Sequence, residues 1–250
     1  MPTPIALQLY SLREELARDF TGTVRRVADL GYAGVETAGM YGASPAEARR
    51  LFDSLGLKVS SAHLPLPLGP EQNRVLDTAE ALGCTRLVCA WQPPEKFQTP
   101  AGVRQVCDQL NEAGAVCQAR GLALGYHNHW FELAALEGRP ALDWMAEWLD
   151  PRVFFEIDVY WVKTAGLDPA AVVGRLGARV PLVHLKDGPA QIEPPMVALG
   201  EGVIDLPAVV QAASQAEWLI VELDRCATDM LTAVGKSLAY LTANGLGRGR

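Results

Sequence analysis

The sequence has little that would suit a nucleic-acid-binding or membrane-spanning protein. Its 22 Lys and Arg residues are outnumbered by 29 Asp and Glu, and no run of basic residues departs from this balance, which argues against a surface that neutralises phosphates. No segment reaches the roughly 18 unbroken apolar residues of a membrane span, and the first residues lack a basic region followed by an apolar one. We therefore expect a cytoplasmic protein without nucleic-acid or membrane partners.

Cysteine is also scarce, and several well-known catalytic motifs are missing. The five cysteines are odd in number, widely spaced and without a C-x-x-C pair, which predicts isolated thiols and neither a disulfide framework nor a zinc framework. Neither a Walker motif nor a G-x-S-x-G sequence occurs. These absences remove the common nucleotide-hydrolysing and serine-hydrolase signatures.

The sequence does contain a repeating pattern of helix, glycine and short apolar strand. A helix with a capping box at 44–47 ends before Gly56, and glycines also follow the predicted helices that end near residues 30, 82, 120 and 176. Strands are predicted near residues 5, 34, 58, 86, 122, 153, 181 and 218. Helices are predicted at 20–30, 44–55, 70–82, 99–120, 140–149, 168–177, 205–215 and 228–243.

Eight strand-and-helix units without a change of composition predict an α/β protein with one domain over residues 1–250. Eight is the number of units that closes a parallel sheet into a (β/α)8 TIM barrel, and the length of 250 residues is typical of that fold. A doubly wound open sheet is the alternative. The first strand-to-helix turn, at 10–13, lacks the glycine-rich phosphate-binding sequence of such sheets, which favours the barrel.

Side chains that could perform chemistry follow the predicted strands. The carboxyl ends of the strands form the active-site face of a TIM barrel, and all four histidines fall there. A single histidine after a strand is more often structural, but four at one face indicate a metal or acid/base site. In chain order these positions are Glu36, His63, Trp91, His127, His129, Asp158, His184, Lys186, Glu222 and Asp224.

Three of these residues could share one divalent metal ion. Asp158, His184 and Glu222 follow three successive strands, whose ends are neighbours on the barrel rim. Imidazole and carboxylate ligands suit Mn, Co, Zn, Ni or Fe, and Mg is possible if carboxylates and water dominate. Lys186 would place a cation beside the ion to hold a hydroxyl, a carboxylate or a developing oxyanion, with a salt bridge to Glu222 or Asp187 as the alternative.

Two further groups of residues lie near the same face. Glu156 shares a side of its strand with Asp158 but lies deeper, where we expect a structural ion pair. Aromatic side chains near the rim could stack on a sugar ring or form the wall of the pocket. They are Trp91, Trp130, Phe131, Tyr160 and Trp161.

Short segments along essentially the whole chain carry a family resemblance. They are residues 8–13, 31–36, 82–84, 126–129, 131–132, 156–162, 184–187 and 200–205. Together they resemble the sugar phosphate isomerase/epimerase family of xylose isomerase-like TIM barrels. The resemblance implies one divalent metal ion and chemistry on a small-molecule sugar, inositol or keto-sugar. Its usual ligands are Glu, Asp, His and Glu from strands five to eight, and Asp158, His184 and Glu222 match the last three.

The fifth strand departs from the family pattern. Tyr126 or His127 occupies the position of the family's metal-bound Glu, and Glu132 lies further along, where related enzymes contact substrate. This departure weakens a two-carboxylate epimerase mechanism. A histidine-rich fifth strand is more similar to inosose dehydratase-like members, in which a carbonyl next to the breaking bond makes elimination feasible.

The resemblance implies a metal-dependent isomerase or epimerase that acts on a sugar or keto-sugar through an enediolate. A dehydratase or lyase acting on a 3-keto-sugar or an inosose is the alternative, and a sugar-binding barrel without catalysis is an alternative of another class. We expect Glu222 to be the base, with Glu132, His127 or His129 as its partner and Lys186 as support for the oxyanion.

Substrate contacts and possible binding of a phosphate complete the sequence-based expectations. We expect the substrate to contact Glu36, His63, Trp91 and Trp161. The segment 200–202 with Arg225 offers only thin support for a phosphate site. Nothing in the sequence indicates an oligomeric state.

Overall fold

Eight parallel strands close into a barrel in the computed structural model, which describes residues 2–250. Each strand pairs with the next one along the chain, and the last pairs with the first, so the predicted (β/α)8 TIM barrel is confirmed. The strands are β1 Ile5–Gln8, β2 Gly34–Thr37, β3 Lys58–His63, β4 Arg86–Cys89, β5 Ala123–His127, β6 Phe154–Asp158, β7 Leu182–Leu185 and β8 Trp218–Val221.

Helices alternate with the strands around the barrel. In the part of the chain that the structure describes, no helix is long and apolar enough to cross a membrane. The helices are α1 Arg13–Arg18, α2 Phe20–Leu30, α3 Pro45–Ser54, α4 Gln72–Leu82, α5 Pro100–Ala119, α6 Ala141–Trp148, α7 Val159–Thr164, α8 Pro169–Leu176, α9 Leu206–Ala212 and α10 Met230–Ala243.

All eight predicted helices are present close to their predicted bounds, and two short helices, α1 and α7, are additional. In α7 the β-branched and aromatic residues from Val159 to Val162 favour a strand by propensity. The side chain of Asp158 nevertheless accepts hydrogen bonds from the backbone N–H groups of Tyr160 and Trp161 and caps a helix there. A small hairpin between Ala135–Leu136 and Arg139–Pro140 was not predicted either.

The predicted helix-end signals have the expected geometry. The Ser44 side chain accepts from the N–H of Glu47, and the Glu47 carboxylate accepts from the N–H of Ser44, which completes the capping box of α3. Gly31 follows α2 with φ 101° and Gly83 follows α4 with φ 63°, in the left-handed region that glycine tolerates best. Local sequence therefore sets where these helices end and the next strand begins.

The barrel interior is apolar at one end and polar at the other. A small buried cluster at the apolar end consists of Ala6, Val88, Phe154, Leu182 and Ile220. Residues two apart in a strand face the same side, so the next inward positions along these strands are Gln8, Ala90, Glu156, His184 and Glu222. The strands thus run from an apolar layer at one end of the barrel to a layer that contains the ionisable groups of Glu156, His184 and Glu222 at the other.

Candidate functional site

A cavity of about 550 Å³ opens at the carboxyl ends of the barrel strands. Its volume lies within the range of small-molecule binding pockets. Ionisable groups lie toward the barrel interior, and aromatic side chains surround the mouth. The residues that line it include Tyr10, His63, Trp91, His127, His129, Trp130, Trp161, Lys186, Ile192, Glu222, Asp224 and Arg225.

Four buried side chains at this end of the barrel could hold one divalent metal ion. His127, Asp158, His184 and Glu222 each offer one donor atom, and all four atoms lie within 4.8 Å of one another. Imidazole nitrogen and carboxylate oxygen are suitable donors for Mn, Co, Zn or Ni. The structure thus brings the three predicted ligands together and adds His127 at the end of β5.

The Asp158 carboxylate has one oxygen available for such a role. Oδ1 accepts hydrogen bonds from the N–H groups of Tyr160 and Trp161 at 3.0 and 3.1 Å. Oδ2 is buried and has no hydrogen-bond partner, although Lys186 Nζ lies 3.0 Å away. Oδ2 already pairs with the Lys186 ammonium, and because a carboxylate oxygen can accept more than one partner it could also bind a cation in the site. The donor set therefore fits a divalent metal.

Lys186 is a second charged element at the same place. Its ammonium lies 2.8 Å from Glu222 Oε2 and 2.9 Å from Asp224 Oδ2, in addition to its contact with Asp158. Burial disfavours the ammonium, but the carboxylates of these three residues outweigh that cost and hold the pKa of Lys186 well above its usual value. Lys186 therefore pairs with Glu222, as one of the two sequence-based alternatives predicts, and not with Asp187.

Glu36 lies below the cavity. Its carboxylate accepts hydrogen bonds from Gln8 Nε2 at 2.7 Å and from the Ser61 hydroxyl, and lies 2.6 Å from His184 Nε2. Glu36 is fully buried, and burial alone would raise its pKa, but His63 and His184 outweigh this effect and hold the pKa well below its usual value. The structure places this predicted substrate contact next to the histidines, beneath the cavity lining.

Glu156 joins three histidines beneath the same site. Its Oε2 lies 2.7 Å from His63 Nε2, 3.1 Å from His127 Nδ1 and 3.2 Å from His184 Nε2. Burial lowers the pKa of His63, but Glu36 and Glu156 outweigh that effect and raise it to about 10. The expected deep ion pair of Glu156 is therefore a contact with the candidate metal ligands themselves, and these four residues form a second group whose donor atoms lie within 4.8 Å of one another.

Comparison with known proteins identifies the family. The profile described as "Xylose isomerase-like TIM barrel" matches residues 24–243. This chain belongs to the xylose isomerase-like TIM barrel family. The resemblance inferred from the sequence motifs is thus confirmed.

Proteins that are similar to this chain in sequence or structure have names that describe different reactions. An inosose dehydratase of Geobacillus kaustophilus is 25% identical over 186 residues, which span 64% of this chain and 59% of the relative. A sugar phosphate isomerase/epimerase from Parabacteroides distasonis superposes with a TM-score of 0.84 and 25% identity, over 99% of this chain and 96% of that one. An L-ribulose 3-epimerase superposes with a TM-score of 0.71 at 16% identity, over 97% and 94% of the two chains, and shares the fold.

The β5 end of this xylose isomerase-like barrel is organised by Glu132, which the sequence marks as a candidate catalytic group. Glu132 is fully buried; one oxygen accepts from the Tyr126 hydroxyl at 2.6 Å and the other from the His129 N–H at 2.8 Å. Burial outweighs these hydrogen bonds and raises the pKa of Glu132 to about 8. Glu132 therefore fixes the turn that carries His129 and does not itself line the cavity.

His129 does line the cavity. Its ring stacks on Phe131 with centroids 5.4 Å apart, and its buried Nδ1 has no hydrogen-bond partner. Burial and the nearby ammonium of Lys186 lower the pKa of His129 to about 3. The imidazole is therefore neutral near pH 7 and can accept or donate a hydrogen bond.

Asn128 is a residue that sequence reasoning passed over. It is fully buried between the two predicted histidines of β5, and its side chain is hydrogen-bonded to the main chain of Asp158, 30 residues away. The only signal in the sequence is an amide inside the motif at 126–129. Its partner depends on the register between β5 and β6, which local pattern does not specify.

The aromatic residues divide between the inner wall and the mouth of the cavity. Trp161 is buried, packs on Trp130 with centroids 4.9 Å apart, and has an indole N–H without a hydrogen-bond partner. Trp91 is 54% exposed at the mouth. Both predicted tryptophan contacts thus line the cavity, whereas the Tyr160 hydroxyl is hydrogen-bonded to the backbone of Gln191.

The glycines after β7 have a structural partner. The N–H groups of Gly200 and Gly202 donate to Asp187 Oδ2 at 2.9 and 3.2 Å, and those of Gly188 and Ile204 donate to Oδ1. These donors are therefore satisfied by a carboxylate of the chain itself. The thin support that the segment 200–202 offered for a phosphate site is weakened accordingly.

Proposed function

We propose that this protein is a divalent-metal-dependent isomerase or epimerase that acts on a sugar or keto-sugar through an enediolate. One observation carries the proposal: the donor atoms of His127, Asp158, His184 and Glu222 converge beside the Lys186 ammonium in a ligand-sized cavity. Perturbed, buried ionisable groups that converge in a cavity are typical of catalytic sites.

The chemistry follows from the residues around that point. A divalent ion held by the four donors would polarise a substrate ketone and make the neighbouring C–H more acidic. Glu222 lines the cavity and is the candidate base for this proton. Lys186, 2.8 Å from Glu222, would donate a hydrogen bond to the oxygen on which negative charge develops.

The proton that Glu222 takes up must be returned to complete an isomerisation, and the protonated Glu222 can itself deliver it to the neighbouring carbon of the enediolate. His127 faces carboxylates with both ring nitrogens, at 3.1 Å from Glu156 and 3.7 Å from Asp158, which suits a ligand better than a mobile base. His129 lines the cavity as a neutral imidazole with a free ring nitrogen, so it is the candidate for holding a substrate hydroxyl group through a hydrogen bond. Glu132 would then act through His129 as a positioning residue.

Elimination of water is the second candidate reaction. The similarity to an inosose dehydratase favours it, and so does the histidine-rich end of β5. The same enediolate would form, but the proton taken up by Glu222 would go to a departing hydroxyl group, which leaves as water, in place of carbon. A sugar-binding barrel without catalysis is the third candidate and predicts binding with no proton exchange.

Proton exchange in D₂O separates these candidates. The protein, loaded in turn with Mn, Co, Zn, Ni or Mg, would be mixed with fructose, 3-keto-glucose or an inosose and followed by NMR. We expect deuterium at the carbon next to the ketone, with an isomer or an epimer as product; an unsaturated product would select elimination instead. Binding without exchange would leave only the non-catalytic alternative.

Two variants connect this activity to the site. Asp158→Asn preserves the shape of the helix cap and should lower metal content per chain by at least about tenfold, whereas Glu222→Gln should abolish exchange. Elemental analysis of the purified proteins measures the first effect. Wild-type protein that binds none of the five metals would refute the proposed mechanism.

A further inference from the structure

The mouth of the cavity is unusually apolar. Five large hydrophobic side chains are well exposed among the described residues, and three of them line this one opening. Tyr10 is 42% exposed, Trp91 54% and Ile192 39%. Leu30 and Val203, the other two, do not line the cavity. Single exposed apolar residues need no explanation, but a group of them around a pocket marks a binding surface.

Tyr10 is held in position by a neighbouring arginine. The Arg13 guanidinium lies 4.4 Å from the centre of the Tyr10 ring. The same guanidinium donates hydrogen bonds to the carbonyl oxygens of Tyr10 at 3.0 Å and Asp224 at 2.8 Å, which ties it to the end of β8. The guanidinium thus covers one face of the Tyr10 ring and restricts its orientation, and such restriction lowers the entropic cost of binding a ligand on the other face.

Ile192 lies on the loop after β7, and hydrogen bonds hold that loop in place. The Tyr160 hydroxyl donates to the carbonyl oxygen of Gln191 at 3.0 Å and lies 3.2 Å from its N–H. The base of the loop is fixed by four backbone N–H groups that donate to Asp187. An exposed aliphatic side chain on a loop with this many hydrogen bonds is presented to the cavity and is not a mobile loop tip.

We propose that Tyr10, Trp91 and Ile192 form an outer subsite that binds a ring attached to the reacting sugar. This inference rests on the proposed function and specifies a glycoside of the sugar as a better substrate than the free monosaccharide. The inner part of the cavity, with Lys186 and Glu222, offers charged groups for the reacting ring. The three outer side chains offer no ionisable partner near neutral pH but do offer flat and aliphatic faces.

The chemistry of the outer subsite suits a ring with an apolar face. Aromatic side chains bind the apolar faces of rings through stacking and burial, and polar residues nearby supply orientation. Arg225 also lines this opening and can donate hydrogen bonds to hydroxyl groups. A glycosyl ring and an aryl ring share the required chemistry, so the experiment includes one ligand of each kind.

Equilibrium binding of unreactive glycosides tests the inference without relying on turnover. Methyl β-glucoside, cellobiose and phenyl β-glucoside would be titrated calorimetrically into metal-loaded wild-type protein, Trp91→Ala and Val203→Ala. Val203 is 57% exposed outside the cavity, so Val203→Ala is a matched control for removal of an exposed apolar side chain.

We expect wild-type protein to bind at least one two-ring ligand about tenfold more tightly than methyl β-glucoside. Trp91→Ala should lose most of this preference, because its affinity for the two-ring ligand should fall by a larger factor than its affinity for methyl β-glucoside, and Val203→Ala should retain the preference. A preference for cellobiose alone assigns the subsite to a glycosyl ring, and one for phenyl β-glucoside alone to an aryl ring.

Three results would overturn the inference. The first is equal affinity of wild-type protein for all three ligands, and the second is an equal loss for all three in Trp91→Ala. The third is a smaller assembly of Trp91→Ala than of wild-type protein by sedimentation, which would make the rim a subunit contact. An enzyme that exchanges protons on keto-sugars but lacks the two-ring preference would refute this inference alone. A protein that shows the preference but no exchange would refute the proposed function alone.

Discussion

The side-chain amide of Asn128 pairs with the main chain of Asp158 through both of its polar groups. Oδ1 accepts from the Asp158 N–H at 2.9 Å, and Nδ2 lies 3.4 Å from the Asp158 carbonyl oxygen. The backbone pairing of β5 with β6 ends at His127 and Glu156, so the Asn128 amide continues that pairing where β5 turns away. It thereby fixes the position of the Asp158 carboxylate along the barrel axis relative to His127.

We expect Asn128→Ala to lower the affinity for the divalent metal by about 10–100-fold, because residues that orient ligands contribute on this scale. The free energy of unfolding should fall by about 1–3 kcal/mol as well, since buried backbone groups lose their partners. Competition with a chelator of known affinity measures the first quantity, and urea unfolding of the metal-free protein measures the second.

Asn111→Ala provides a matched control. Asn111 makes the same kind of clamp, accepting from the Asp150 N–H at 2.7 Å and donating to the Trp148 carbonyl oxygen at 3.1 Å, but outside the candidate site. It should lose comparable stability and retain its metal affinity. Equal losses of metal affinity in both variants would show that Asn128 has no specific effect on the site.

The barrel and the general position of the site could be predicted because both depend on local pattern. Helix caps, glycines such as Gly31 and short apolar runs recur along the chain, and parallel strands place their carboxyl ends on one face. Any polar residue that follows a strand therefore falls near the site. Asp158, His184 and Glu222 were brought together by this rule alone.

The detailed roles could not be predicted because they depend on depth and register. Glu156 and Asp158 share a strand face, but only the closed barrel shows that Glu156 reaches three histidines. The orientation of Glu132 depends on a short 3₁₀ turn over Phe131–Leu133, which directs its carboxylate to Tyr126 and away from the cavity. Such contacts between residues distant in sequence leave no local pattern.

Packing within the barrel makes Gly125 intolerant of a side chain. A Cβ at this position in β5 would overlap the ring of Phe154 in β6. We expect Gly125→Ala to lower the free energy of unfolding by about 1–3 kcal/mol, the usual cost of overpacking a core. Urea unfolding measures this change, and Phe154→Leu in the same chain should recover part of it because the smaller side chain leaves room.

Gly174→Ala is the corresponding control in α8. The nearest atom to a Cβ there is Ala212 Cβ, at 3.9 Å, which is an ordinary van der Waals contact. This substitution should raise the free energy of unfolding by about 0.5–1 kcal/mol, because alanine loses less conformational entropy in a helix. Destabilisation of both variants to the same extent would contradict the steric explanation for Gly125.

The stability of the loop after β7 should depend on the two equivalent, negatively charged carboxylate oxygens of Asp187. Both of its oxygens accept two backbone N–H groups each, at 2.8 to 3.2 Å. In Asp187→Asn an NH₂ group replaces one oxygen, so two N–H groups lose their acceptor, at a cost of about 1–3 kcal/mol for each. We expect lower stability in urea and faster proteolytic cleavage within residues 188–204.

Asp168→Asn tests whether any aspartate-to-asparagine change has this effect. Asp168 caps α8 through one hydrogen bond, from the Ala170 N–H at 3.0 Å, and asparagine caps a helix about as well. Its stability and cleavage rate should remain close to those of wild-type protein. A loop in Asp187→Asn that resists cleavage as the wild type does would show that the four hydrogen bonds are dispensable.

Glu132 should make stability depend on pH in a defined direction. Burial is the largest effect on this carboxyl group and raises its pKa to about 8 in the folded protein, compared with about 4.3 in an unfolded chain. The folded state therefore binds the proton more tightly, and the contribution of Glu132 to stability is fully present below about pH 4.3. It is lost as the pH rises towards 8, because the ionised group is then buried at a cost.

Glu132→Gln removes this titration while it keeps a similar shape and leaves a carbonyl to accept from the His129 N–H. With chelator present, the difference in free energy of unfolding between wild-type protein and this variant should shift against the wild type as the pH rises from 5 to 8, by at most about 1.4 kcal/mol per pH unit. Urea unfolding at each pH measures this difference.

Glu201→Gln, at an exposed ion pair with Lys236, removes the same formal charge and controls for net charge. A constant difference from pH 5 to 8 for Glu132→Gln would mean that the buried carboxyl group is ionised throughout, and that the Tyr126 and His129 hydrogen bonds outweigh its burial.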